Sequence, residues 1–96
     1  MVNEIVMHEC VWVFVGAGAR LPSGIFTTKE MAIQWVEKYK LTGVLTKYPV
    51  DESVYDWAVS SGYFTPKSDK QRTARFIGFF TTAIQEHYHF EDGAMA

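Results

Sequence analysis

The stretch from Ser23 to Gly43, SGIFTTKEMAIQWVEKYKLTG, constrains this chain more than any other, because an extended segment hands over in it directly to an amphipathic helix. Thr27 and Glu30 stand three apart as a capping box: the hydroxyl accepts from the amide of Glu30 while the carboxylate reaches back to the amide of Thr27. Phe26 and Met31 flank the box as a hydrophobic staple. Met31, Ala32, Trp35, Val36 and Tyr39 recur at helical spacing, so the pattern predicts a helix over 28–39 with one apolar face that needs a sheet beneath it. Lys38 and Lys40 suit its negative end, Gly43 is placed as a left-handed terminator, and β-branched residues resume after it. The stretch therefore reads strand, helix, strand.

A chain of 96 residues is expected to be one domain with room for one modest core. Hydrophobic residues at 48% and aromatics at 16% exceed what such a core can hold, so part of the surplus is expected to meet a partner, most simply a second copy. A net charge of -2 supplies no basic field for phosphates, which argues against nucleic acid. The single cysteine, Cys10, excludes an internal disulfide and favours the cytosol. Glu4 and Glu9 mark the N-terminal stretch, and the uninterrupted apolar run Val11 to Val15 is too short for a signal-peptide core or a membrane span.

Along the chain, residues 1–9 are expected to fray ahead of a first strand. Val11, Val13 and Val15 point to one face of that strand and Trp12 and Phe14 to the other, which predicts a sheet covered on both sides: by the helix on one, and by a second helix or another subunit on the other. Gly16-Ala17-Gly18 follows a strand as a dinucleotide fingerprint would, but Leu21-Pro22-Ser23-Gly24 leads into another strand and no phosphate-binding helix follows, so it reads as a hairpin loop. Thr42 to Val50 is a third strand. Ser53 with Asp56 starts a short second helix that buries Val54, Trp57 and Ala58 and stops at Gly62. Thr65 to Arg75 reads as a polar loop, Phe76 to Phe80 as a fourth strand, and 85–90 as a last strand with His87 and His89 on one face and Glu86, Tyr88 and Phe90 on the other; 91–96 reads as a frayed tail. The expected fold is α+β, a four- or five-stranded mixed or antiparallel sheet with one long and one short helix, in the order β-β-α-β-α-β-β.

The pieces VWVF, PSGIF, LTGVLTKYPVD, VYDWAVSSGYF and EHYHFEDG together make the chain resemble, from about Val11 to Gly93, a small bacterial family known only as a domain of unknown function. The resemblance implies no activity and transfers no residue roles.

Two constellations could carry chemistry. His87 and His89, two apart on a strand, stand about 7 Å apart on one face and could share a zinc ion. His8 and Cys10 have the same spacing, so pairing of the first and last strands would gather three histidines and a cysteine, with Glu86, Glu91 and Asp92 behind them. The plainer reading is two half-exposed histidines on an edge strand. Cys10 as a nucleophile would need a neighbouring base, whereas a cysteine opening an apolar strand is more often a small buried hydrophobe. Asp51, Glu52 and Asp56 read as charges balancing a helix start. The second constellation is aromatic: Tyr55, Tyr63 and Phe64, with Tyr55 and Tyr63 expected along a surface groove and Trp57 in the core. The function expected from this balance is a non-enzymatic protein-interaction or accessory module without a cofactor, pairing with a protein partner or itself. The alternative is a metal-dependent small-molecule enzyme working from His87 and His89.

Overall fold

A computed structural model describes residues 10–96. Strands β1 (Cys10–Gly16) and β2 (Gly24–Phe26) precede helix α1 (Lys29–Tyr39); β3 (Gly43–Pro49), α2 (Val54–Ser60), a 3-10 turn (Asp69–Arg72), α3 (Ala74–Phe79), β4 (His87–Glu91) and β5 (Ala94–Met95) follow. The strands form one antiparallel sheet in the order β2-β1-β3-β4-β5. The fold is α+β. Its spine is the pair β1 and β3, in register from Cys10 opposite Pro49 to Gly16 opposite Gly43.

Helix α1 starts one residue later than the capping box proposed: Thr28 is the cap, its Oγ1 accepting from the Met31 amide at 3.2 Å. The helix meets the sheet through Ala32 and Val36, both fully buried, while Met31 is 53% and Tyr39 57% exposed. The staple and the outer part of the apolar stripe are therefore not core. The reason is volume: Trp12, Phe14 and Phe90 fill the space from the sheet side, so the helix approaches with small residues at the line of contact. Its end is also set differently. Lys40 takes the left-handed conformation at φ 57°, and the amide of Leu41 reaches the Val36 carbonyl at 3.0 Å in the manner of a Schellman motif. Gly43 lies instead inside β3, where a β-carbon would come within 2.4 Å of the Val15 carbonyl oxygen.

The core comprises Trp12, Phe14, Ala32, Val36, Leu45 and Phe90, with Phe26, Ile33, Trp35, Leu41 and Tyr88 packed around it. A separate aromatic cluster joins Tyr55, Phe64, Phe76 and Phe80, with ring centres 4.9 to 6.2 Å apart. This cluster overturns the expected strand at Phe76 to Phe80. The Thr73 hydroxyl accepts from the Phe76 amide at 3.2 Å and starts α3, and on that helical turn Phe76 and Phe80 both reach Tyr55 while Phe79 turns outward, 74% exposed. The polar segment before it is folded rather than loose: the Tyr55 hydroxyl donates to the Gln71 carbonyl at 2.7 Å, and the Gln71 side chain accepts from the Lys67 amide at 2.7 Å.

Residues 91–96 also differ from expectation. Asp92 (φ 50°) and Gly93 (φ 87°) make a two-residue turn between Glu91 and Ala94, and β5 pairs with β4 through Glu91–Ala94 and Phe90–Met95. Two positive φ values in a two-residue hairpin are what a type I′ turn needs, and Asp-Gly is its favoured sequence. The expected fraying of 1–9 concerns residues outside the described range.

The alternation of β1 sorts the sheet into two faces. Trp12 and Phe14, with Leu45, Tyr88, Phe90 and Phe26, lie beneath α1. The opposite face carries Val11, Val13, Val15, Ile25, Val44, Thr46, Tyr48, His87 and His89. The described chain measures 45 × 43 × 20 Å. Twenty ångströms holds one helix layer on one sheet, since packed layers stand about 10 Å apart. The expectation of cover on both faces thus holds for one face only among the described residues.

Candidate interaction surface

Cross-strand register turns the open face into ordered rows. Ile25, Val13, Thr46 and His87 stand side by side across β2, β1, β3 and β4, and Val15, Val44 and His89 form the next row. Along these strands the only charged residue in phase with the face is Glu91, at its corner. Apart from that corner these rows are β-branched and carry no carboxylate, lysine or arginine, a poor surface to leave in water.

His87 and His89 are brought together as the period-two spacing predicts, with ring centres 5.4 Å apart and planes at 81°. His87 Nδ1 lies 2.7 Å from the Gln85 carbonyl oxygen. A carbonyl only accepts, so Nδ1 is the donor here, and in the neutral ring that leaves the lone pair on Nε2. Gln85 is itself fixed, buried with its side-chain amide donating to the Lys47 carbonyl at 3.1 Å.

The rest of the expected ligand set does not join them. Cys10 is paired with Pro49, three steps along the ladder from the Val13–Thr46 row, and in phase with Trp12 and Phe14 on the other face. It lines a cleft with Lys47, Trp57, Gln85 and Glu86 into which neither His87 nor His89 projects, so among the described residues no imidazole stands beside its thiol. His8 lies outside the described residues. Among the described residues no three His, Cys, Asp or Glu side chains gather closely enough to hold an ion.

The aromatic candidates separate as well. Tyr55 is buried at the centre of the second cluster and Phe64 stacks within it, so neither lines a groove. Tyr63 is 54% exposed and packs on Trp57 at 5.3 Å, and Trp57 is half-buried against the Cys10 cleft rather than in the core. Tyr55 departs from the expected groove position because a second apolar cluster, which a 96-residue chain does not ordinarily support, takes it in.

Lys29 is a site residue that sequence patterning does not mark. Its ammonium donates to the Tyr88 hydroxyl at 3.3 Å, sits 4.8 Å from the centre of that ring and 5.9 Å from the Trp12 ring, and lies 3.9 Å from Glu86, which itself accepts from Tyr88. The hydrogen bond to Tyr88, with Glu86 adding to it, raises the ammonium above its usual pKa. One signal was available: Lys29 falls one turn before Ile33 on the buried side of α1, where a long stem can cross apolar rings.

An α+β domain with one sheet face covered by a helix and the other open among the described residues is the class these features define. The chain belongs to the family described as Domain of unknown function (DUF7710), whose profile matches residues 11–96. No curated protein and no solved structure is significantly similar to it. No helix among the described residues is long and apolar enough to cross a membrane.

Proposed function

We propose that this domain is a non-enzymatic interaction module, a bacterial cytosolic accessory protein whose open sheet face pairs with the same face of a second copy. The observation that carries the reading is the row structure of that face: valines, isoleucine, threonine and tyrosine across four strands, with Glu91 alone in charge at a corner. Self-pairing suits it because an uncharged face meets its own image without like-charge cost, and a two-fold axis laid along the Ile25–Val13–Thr46–His87 row sets each residue against its mate. β1 and β3 have seven residues each, β4 five and β2 three, and at about 3.3 Å per residue with strands about 4.8 Å apart they give roughly 350 Å² in plan, hence about 700 Å² over two copies before surface relief is counted. That is below the size of a standard specific interface, so the pairing is weak and concentration-dependent. The enzymatic alternative is less well supported, since the recess beside His89, about 340 Å³ and lined by Val15, Gly18, Thr42 and Val44, does not reach His87. Light scattering tests the reading: mass should rise from one chain toward two between micromolar and near-millimolar concentration, and a single-chain mass throughout would contradict it.

A further inference from the structure

We propose that His87 and His89 are half of a divalent transition-metal site that a second copy completes. An ion about 2.0 Å from a ring nitrogen lies about 3.2 Å from the ring centre, so two imidazoles at a tetrahedral angle have centres about 5.2 Å apart. The His87 and His89 rings are 5.4 Å apart, so the pair already holds the separation a shared ion requires. His87 is also in the ligating tautomer. Its Nδ1–H is engaged by the Gln85 carbonyl, the outer contact that commonly orients a metal-bound imidazole, which in the neutral ring leaves Nε2 to ligate.

Two ligands from one chain leave a tetrahedral ion half bound, and the described residues add no third. The second copy supplies the remainder. His87 ends the row proposed to follow the two-fold axis, so the His87 rings of the two copies face each other across that axis, with the two His89 rings flanking it one row away on opposite sides. Sheets packed about 10 Å apart place an ion about 5 Å from each, within the reach of an imidazole. Four neutral nitrogens suit zinc, copper or nickel better than magnesium or calcium. This bridged site rests on the face-to-face pairing proposed above, and it supplies what that weak interface lacks, a directional contact fixing one arrangement of two flat surfaces.

The test uses the untagged full chain, stripped by chelator and titrated with cobalt(II) as a spectroscopic stand-in for zinc, alongside light scattering with and without zinc. The expected result is one ion per two chains, a tetrahedral cobalt spectrum, and at least a tenfold gain in apparent dimer affinity with zinc, roughly the least a new bidentate contact from each chain should give. His87→Ala and His89→Ala should each weaken metal binding more than about 100-fold, beyond the usual cost of losing an outer partner. One ion per chain on a monomer, or binding unchanged in both variants, would overturn the bridged site. A metal-free dimer indifferent to zinc would overturn it too and leave the pairing intact. A chain monomeric without zinc and dimeric with it would keep the site and remove pairing by the apolar face alone.

Discussion

At the scale of single residues, Phe14 and Met31 show what hydrophobic spacing does and does not reveal. Phe14 is 1% exposed, packed edge-on against Trp35 at 5.5 Å, and sits in the β1 position that alternation assigns to a buried face. Phe14→Ala should lower stability by about 3–5 kcal/mol in denaturant titration. Met31 belongs to the same helical stripe that revealed Ala32 and Val36, yet it is more than half exposed, and Met31→Ala should stay within about 0.5 kcal/mol. The sequence marks both as apolar; which one is core depends on the bulk of the rings opposite, which only packing settles. Lys29 gives a pH signature. Because Tyr88 and Glu86 raise its pKa above 10.5, its contribution is fully present below that value and is lost as pH rises through the raised one. The difference in melting temperature between wild type and Lys29→Met should therefore shrink from about pH 8 to about pH 11, and a constant difference would remove the network from the account.

At the scale of elements, β1, β2, α1, β3 and α2 were legible because each carries its own punctuation. Ser53 caps α2 as its sequence indicates, its Oγ accepting from the Asp56 amide at 2.9 Å and donating to the Asp56 carboxylate at 2.9 Å. The run Phe76 to Phe80 was not legible as a helix, because five residues that are nearly all apolar fit either period, and the deciding partners Tyr55 and Phe64 lie elsewhere in the chain. Its cap is weak evidence by itself, but Thr73→Ala should cost about 1 kcal/mol and loosen the second cluster before the sheet, visible as early amide exchange in 69–80. Gly43 is the sharper case. A helix-terminator reading looks only at local order, whereas the ladder sets Gly43 opposite Gly16, where no side chain fits between β3 and the Val15 carbonyl. Gly43→Ala should destabilise by about 2–3 kcal/mol because backbone, not a movable side chain, stands in the way. The Asp92–Gly93 turn was legible and passed over: an Asp-Gly pair after an alternating segment is a hairpin signal even where the second strand, Ala94–Met95, is only two residues long.

At the scale of the whole molecule, surplus aromatic and β-branched surface has gone to three places: the core under α1, the second cluster beyond it, and the open sheet face. The alternation of Val11 to Val15 marks both faces of β1 as apolar without telling which one α1 covers, while the adjacency of His87 and His89 is legible in their spacing; the separation of Cys10 from them depends on strand phase, which pairing partners fix. Thr46 stands in the middle of the row between Val13 and His87, half-buried in the single chain and, under the proposed two-fold, next to its own mate. A lysine there can extend into solvent in a monomer but meets a second ammonium in a pair. The most direct measurement is light scattering of metal-free wild type and Thr46→Lys over the same micromolar to near-millimolar range, with circular dichroism to verify that both are folded. The account predicts a wild-type mass climbing toward two chains and a Thr46→Lys mass fixed at one. Equal masses for the two folded proteins at every concentration would contradict it.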